Sequence, residues 1–259
     1  MGRIIAIANQ KGGVGKTTTA INLAAALALA EKRVLLVDVD PQANATRGIG
    51  ISREESRPGV YEWMTETTEA NGVIRSSTVP CLDVLPADRN LAGLEVELVE
   101  TADREYLLRQ RLVVLQDRYD FILLDCPPSL GLLALNTLAA AETVLIPVQT
   151  EYLAMEGISE MVGTLDRVRG GINPSLEMEG VLLTMYDERT NLARQVVQEI
   201  RSFFGDQVFE TVIPRNVRLS EAPSFGQSVL TYDVRSRGAV AYLALAVEVL
   251  RHDQTKGPR

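Results

Sequence analysis

The stretch Ile4-Ile5-Ala6-Ile7-Ala8, Asn9-Gln10-Lys11-Gly12-Gly13-Val14-Gly15-Lys16-Thr17-Thr18-Thr19 and Ala20-Ile21-Asn22-Leu23-Ala24-Ala25-Ala26-Leu27-Ala28-Leu29-Ala30 decides how this chain folds. The first run reads as a buried strand and the last as a helix, with Gly-Lys-Thr at the junction. A strand, a glycine-rich turn and a helix in that order form a phosphate-binding loop. Its glycines let backbone N–H groups converge on phosphate oxygens, and the helix N-terminus adds positive potential. In such a loop Lys16 reaches the β- and γ-phosphates and the Thr17 hydroxyl ligates Mg²⁺. A glycine-rich turn without a ligand is the plain alternative, and the flanking strand and helix weigh against it. The general pattern wants glycine where this chain has Gln10, and Lys11 stands beside it.

Working outward, Arg33-Val34-Leu35-Leu36-Val37-Asp38 is a short apolar run ending in acid, which predicts a buried parallel strand. It leads to Asp40-Pro41, a turn-former whose carboxylate falls at the ligand edge of such a sheet. Tyr119-Asp120-Phe121-Ile122-Leu123-Leu124-Asp125 is a second such strand, and Asp125 stands where it can hold a Mg²⁺-bound water beside the phosphate loop. Cys126 reads as a small buried residue rather than a nucleophile. Further strands are expected at Leu82–Pro86, Thr143–Val148, Met178–Thr184 and Val208–Ile213. Helices are expected at 103–117, Leu153–Arg169, Asn191–Phe204 and Ala239–Leu250, the third with Leu192, Val196, Ile200 and Phe203 inward. Strands alternating with helices predict an α/β fold: a mostly parallel twisted sheet flanked by helices on both faces. We expect one domain over 1–259, with a core of about 3–251 and a short polar tail at 252–259.

At 259 residues and 46% hydrophobic content the chain can bury a sizeable, largely aliphatic core. No apolar run approaches the ~18 residues of a membrane span, and the N-terminus enters a strand at once. Two cysteines without ligand spacing point to a reducing, cytoplasmic setting. A net charge of −8 excludes a uniformly basic nucleic-acid binder. The charge is uneven, however: from Val181 onward ten Lys/Arg face nine Asp/Glu, against 16 and 25 before it. A local basic face is therefore compatible with an acidic chain.

The arrangement Lys11-Gly12-Gly13-Val14-Gly15-Lys16-Thr17 resembles the deviant phosphate loop of the ParA/MinD ATPases. Val39-Asp40-Pro41-Gln42-Ala43-Asn44-Ala45-Thr46 resembles their switch I, although many relatives have glycine at the position of Ala43. Leu124-Asp125-Cys126-Pro127-Pro128-Ser129-Leu130 resembles their switch II. The segments Leu183–Leu192 and Val212–Gly226 are similar to the chromosomal ParA (Soj-like) subgroup. The resemblance implies ATP and Mg²⁺ as cofactors, bound by Lys11, Gly12, Gly13, Val14, Gly15, Lys16, Thr17 and Thr18, with Pro214 and Asn216 lining the adenine. It implies catalysis by Lys11, Lys16, Asp40 and Asp125, with Thr17 on the metal directly and Asp40 and Asp125 through water. It further implies a homodimer closed by ATP, in which Lys11 reaches the partner's nucleotide. Arg189 and Arg218 would bind the backbone of nonspecific double-stranded DNA, with Arg194 and Arg201 extending the patch. A ParB-type centromere-binding protein would stimulate slow hydrolysis and release from the nucleoid. A MinD-like, membrane-recruited switch is the alternative, but the end Arg251–Arg259 is short and polar where that role needs a basic amphipathic helix. An iron–sulfur ATPase would need a cluster pair of cysteines that Cys81 and Cys126 do not make.

Overall fold

In the computed structural model, which describes residues 2–65 and 68–255, the strands are β1 (Arg3–Ile7), β2 (Val34–Asp38), β3 (Arg75–Ser76), β4 (Leu82–Leu85), β5 (Phe121–Asp125), β6 (Thr143–Gln149) and β7 (Glu177–Thr184). The helices are α1 (Lys16–Leu29), α2 (Asn44–Gly48), α3 (Val60–Thr65), α4 (Ala70–Val73), α5 (Leu94–Glu97), α6 (Leu107–Leu112), α7 (Leu132–Ala140), α8 (Ala154–Arg169), α9 (Asn191–Phe204), α10 (Val217–Glu221), α11 (Val229–Tyr232) and α12 (Arg237–Thr255). The strands form one sheet in the order β3-β4-β2-β5-β1-β6-β7. Every pairing is parallel except the two-residue edge strand β3 on β4.

Helices cover both faces because the central strands are buried on both. In β1, Ile4 and Ala6 join a core with residues of α3, α6, α7 and α8. Ile5 and Ile7 point the other way, into a core with α1 and α12. This is why β1, β2 and β5 read as unbroken apolar runs rather than alternating ones.

Four expectations need correction. The helix expected over 103–117 is a single turn and a half of α-helix, α6, with 3₁₀ turns at Arg104–Tyr106 and Val113–Leu115. Asn136 of α7 intercepts its backbone, accepting from the Leu108 N–H at 3.1 Å and donating to the Arg104 carbonyl at 2.9 Å. The strand expected at Val208–Ile213 is an extended segment with isolated bridges only. Phe209 and Ile213 donate to β7, but the Glu210 and Thr211 N–H groups between them donate to the Glu248 carboxylate. Helix α9 has its expected bounds, capped by Thr190 and closed by Gly205, but its phase differs. Ala193, Val196 and Ile200 face inward, while Leu192 and Phe203, expected inside, are 46% and 72% exposed. The last helix also runs to Thr255, past the expected Leu250; residues 256–259 of the expected tail lie outside the described residues.

One close approach joins the turn after α2 to the turn before α11. Gly50 and Gly226 take φ of 93° and 65°, and a Cβ on Gly226 would lie 2.7 Å from the Gly50 Cα. Gly226→Ala is therefore expected to overpack this contact, at a cost of about 1–3 kcal/mol. Thermal unfolding should show a midpoint lower by roughly 2–4 °C per kcal/mol.

Candidate nucleotide-binding site

The site grows from the register of three strands. Ile7, at the end of β1, pairs with Asp125, at the end of β5, and Asp38, at the end of β2, pairs with Asp125 from the other side. The phosphate loop leaves β1 at that level. Gly13 and Gly15 take φ of 75° and 91°, where a side chain would be strained. A Cβ added to Gly12 or Gly13 would meet no protein atom within 4 Å. The loop therefore presents an open backbone cradle at the N-terminus of α1, a geometry that suits phosphate oxygens.

Lys16 opens α1 and is 7% exposed. Its ammonium donates to the Lys11 carbonyl at 3.0 Å. Burial lowers its pKa, while Cys126, Asp125 and Asp40 oppose the fall. Lys11 is more exposed: its N–H donates to Asn9 Oδ1 at 3.0 Å, and its ammonium pairs with Glu151, in the turn between β6 and α8. The two lysines of one loop thus point to different destinations.

Near Lys16 stand Asp125 and Asp40, and Asp38 acts on both of them. Asp125 is fully buried; no donor meets either of its oxygens in good hydrogen-bond geometry, although the Thr17 hydroxyl stands near enough to favour its charge. Burial pushes its carboxyl well above the ordinary range, Asp38 and then Asp40 push the same way, and Thr17 and Lys16 oppose them. Asp40 is 8% exposed and accepts from the Gln42 N–H at 2.8 Å. Asp38 was not singled out in the sequence, yet it organises the group. It accepts from the Asp40 N–H at 3.1 Å and from both the N–H and the hydroxyl of Thr46, at 2.8 and 2.7 Å. Burial raises its pKa to about 6 despite those donors. Its signal was the acid at the strand end two residues before Asp40.

Among the described residues, no group of three or more His, Cys, Asp or Glu side chains is arranged to hold a metal by itself. That fits Mg²⁺, which keeps waters and takes substrate phosphate oxygens rather than an all-protein cage. The Asp125 carboxylate and the nearby Thr17 hydroxyl are oxygen donors of the kind such an ion takes. Cys126, next in sequence, is pushed up to about 12 by burial and by Asp125, so it is inert as a thiolate.

A cavity of about 310 Å³ adjoins the loop, lined among others by Gly15, Thr18, Thr184, Met185, Pro214 and Asn216. The Thr184 hydroxyl at the end of β7 donates to the Val14 carbonyl at 2.8 Å, tying that edge to the loop. Asn216 caps α10 by accepting from the Arg218 N–H at 2.9 Å. Thus the structure brings Lys11, the residues from Gly12 to Thr18, Asp40, Asp125, Pro214 and Asn216 to one edge of the sheet. A larger polar cleft, of about 600 Å³, lies at the other edge, around Glu179, Arg201 and His252.

The arginines lie on the surface outside this cavity. Arg189 is paired to Asp187 through two hydrogen bonds and holds that carboxyl down at about 2. Arg218 pairs with Glu221 at 2.8 Å and Asp233 at 3.3 Å. Arg237, which sequence reasoning missed, pairs with Glu188 at 3.3 Å. Arg194 and Arg201 sit on the exposed face of α9, where Arg201 donates to the Glu210 carbonyl at 3.0 Å.

Asp38 gives the nucleotide-free protein a testable pH dependence. Between 3.8 and about 6 the folded state holds the extra proton, so stability falls as pH rises through that window and returns as pH falls. Asp125→Asn removes the charge that burial disfavours most. It should raise the thermal midpoint of nucleotide-free protein at about pH 7, by roughly 2–4 °C per kcal/mol recovered, and weaken the stabilisation by ADP with Mg²⁺.

A family described as AAA domain matches residues 2–178 of the chain. A chromosome partitioning protein ParA of Myxococcus xanthus is 54% identical over 259 residues, covering 100% of this chain and 92% of that protein. The sporulation initiation inhibitor protein Soj of Bacillus subtilis is 55% identical over 249 residues, covering 96% and 98%. A solved structure from Mycobacterium smegmatis, described as cobyrinic acid a,c-diamide synthase with bound ADP and magnesium, is 37% identical with a TM-score of 0.86, covering 99% of this chain and 97% of that one. With the deviant lysine loop and the strand-end acids at one edge of a parallel sheet, the chain belongs to the ParA/MinD-type ATPases, in their ParA/Soj chromosome-partitioning branch.

Proposed function

We propose that this chain is a partition switch: an ATPase, with ATP and Mg²⁺ as its cofactors, that dimerises on ATP, binds DNA without reading sequence, and is released by partner-stimulated hydrolysis. The observation that carries this reading is the destination of Lys11. Lys16 turns inward among the carboxylates, whereas Lys11 leaves the loop towards Glu151 at its surface. A second protomer could there offer its phosphates in place of Glu151. Guanidinium and ammonium groups directed at transferring phosphoryl oxygens act by electrostatic stabilisation.

Lys16 and the loop N–H groups bind and orient the phosphates. Thr17 would hold Mg²⁺ directly, and Asp40 and Asp125 through water; when bound, the ion neutralises charge on the phosphate oxygens. Asp40, held by Asp38 and the Gln42 N–H, orients the attacking water. Pro214 and Asn216 line the adenine. The ParB-type partner, a cytoplasmic, nucleoid-associated location and a single functional unit over 1–259 belong to the same proposal.

DNA contact is assigned to Arg189 and Arg218, with Arg194 and Arg201 extending the patch. Support comes from connectivity: the Arg189 loop follows β7, and Tyr186 of that loop bridges to Pro214 of the adenine loop, four residues before Arg218. Both arginines therefore hang on segments that line the nucleotide cavity. No helix among the described residues is long and apolar enough to cross a membrane.

Binding to random-sequence duplex DNA with ATP, ADP or no nucleotide, at two salt concentrations, tests the reading. ATP-dependent binding that weakens with salt and is lost in Arg189→Ala and Arg218→Ala is expected, because phosphate contacts release counterions. ATP-loaded protein that ignores DNA but pellets with anionic liposomes would give the role to a MinD-like switch instead. For the chemistry, Asp40→Ala is expected to trap an ATP-bound dimer, Lys16→Ala to abolish nucleotide binding, and Lys11→Ala to spare binding while losing the dimer. Light scattering and nucleotide titration separate these outcomes.

A further inference from the structure

Gln10 is the loop residue that nucleotide chemistry leaves over. It stands where the general pattern has glycine, yet its φ is not positive, so the backbone there makes no demand for one. Its side chain turns away from the cradle. Gln10 Nε2 donates to the Thr164 hydroxyl at 2.6 Å and lies 3.4 Å from the Glu160 carbonyl.

Thr164 is the matching anomaly on α8. It is 3% exposed and sits in the helix's buried row with Ile158, Met161, Leu165 and Val168. A hydroxyl in an apolar row costs desolvation, and a β-branched residue in mid-helix costs propensity, unless the hydroxyl is used. Here it is used three times. It donates to the Glu160 carbonyl at 3.1 Å and accepts from Gln10 and from the Arg167 guanidinium at 3.0 Å.

The residues on either side of Gln10 make parallel connections. Asn9 Nδ2 donates to the Pro147 carbonyl of β6 at 2.8 Å, and the Lys11 ammonium pairs with Glu151. Three consecutive loop residues are thus attached to one strand–turn–helix unit, at the strand, in mid-helix and in the turn. Lys16 belongs to α1 instead. The two ends of the loop hang on different parts of the fold.

We propose that Gln10 and Thr164 are positioning residues: their hydrogen bond anchors the first half of the phosphate loop to α8 and sets the direction in which Lys11 leaves it. This rests on the reading that Lys11 acts on a second protomer. Without the joint, Lys11 must be ordered at the moment two protomers meet, and the ordering cost falls on assembly. Nucleotide binding by one protomer, which depends on Lys16 and the backbone cradle, is untouched.

The test compares wild type, Gln10→Ala, Thr164→Val, Thr164→Ser and the double variant Gln10→Ala/Thr164→Val, each checked by thermal midpoint. ADP affinity is measured by titration, and dimerisation with a non-hydrolysable ATP analogue by light scattering across protein concentration. Expected are ADP affinities within about twofold of wild type, and half-dimerisation concentrations raised about 25-fold in Gln10→Ala and Thr164→Val, because each dimer loses the joint twice and one hydrogen bond of ordinary net worth supplies about fivefold. Thr164→Ser, which keeps the hydroxyl, should recover wild-type assembly, and the double variant should be no worse than either single one. ADP affinity and dimerisation falling together would overturn the assignment, as would additive losses, unchanged assembly, or a serine variant as poor as valine. Wild type that stays monomeric with the analogue would instead overturn the dimeric reading, and this inference with it.

Discussion

The site depends on three parallel strands ending at one level. Ile7, Asp125 and Asp38 share a register, so a phosphate loop, a buried acid and a second acid meet without any loop having to bring them together. Parallel pairing also puts both faces under helices, so the acids end in an interior rather than in water. Carboxylates gathered there repel one another and resist ionisation, as the raised pKa values of Asp38 and Asp125 show. What relieves Asp125 is cationic: Lys16 from within the chain and, on the proposed reading, a divalent ion held through water. The affinity for Mg²⁺ and phosphate is thus the complement of an electrostatic cost that folding leaves unresolved.

Much of this was legible locally. The β1–loop–α1 unit is contiguous, and its glycines, lysine and threonine carry their roles in their own spacing. The bounds of α9 were readable because Thr190 and Gly205 punctuate it chemically. The failures have a common cause, in side chains distant in sequence that take over backbone donors and acceptors. Asn136 breaks the helix around α6, and Glu248 breaks the strand at 208–213. No periodicity near those segments records a competitor 28 or 37 residues away. Asp38 was missed for a related reason: its weight comes from standing level with Asp125, a fact of pairing rather than of spacing. The turn of α9 towards Ala193 instead of Leu192 places its smallest apolar residue against the fold and leaves Leu192 outside.

The surface arginines follow another rule. Arg189 and Arg218 each pair with an acid two or three residues away, and Arg237, at the start of α12, pairs with Glu188 of the loop after β7. Exposed pairs of this kind add little to stability, because solvent screens them. They do hold three flexible side chains in defined places and cancel much of their field, so these loops can carry guanidinium groups on a chain of net charge −8 without a standing positive patch. Arg189, which gives Asp187 two parallel N–H bonds, presents a fork that a phosphate group matches as well as a carboxylate does.

Ala43 carries a quieter consequence. It holds φ at 52°, between Asp40 and α2, and it is kept there from both sides: Arg47 donates to the Gln42 and Ala43 carbonyls, and Thr46 is clamped to Asp38. A methyl group in the left-handed region costs roughly 1–2 kcal/mol, about five- to thirtyfold in population, relative to the ordinary helical region. Glycine carries no such bias. The segment behind Asp40 therefore carries a strain set by one carbon atom, and glycine at position 43 would remove that strain while leaving the Asp40 carboxylate in place.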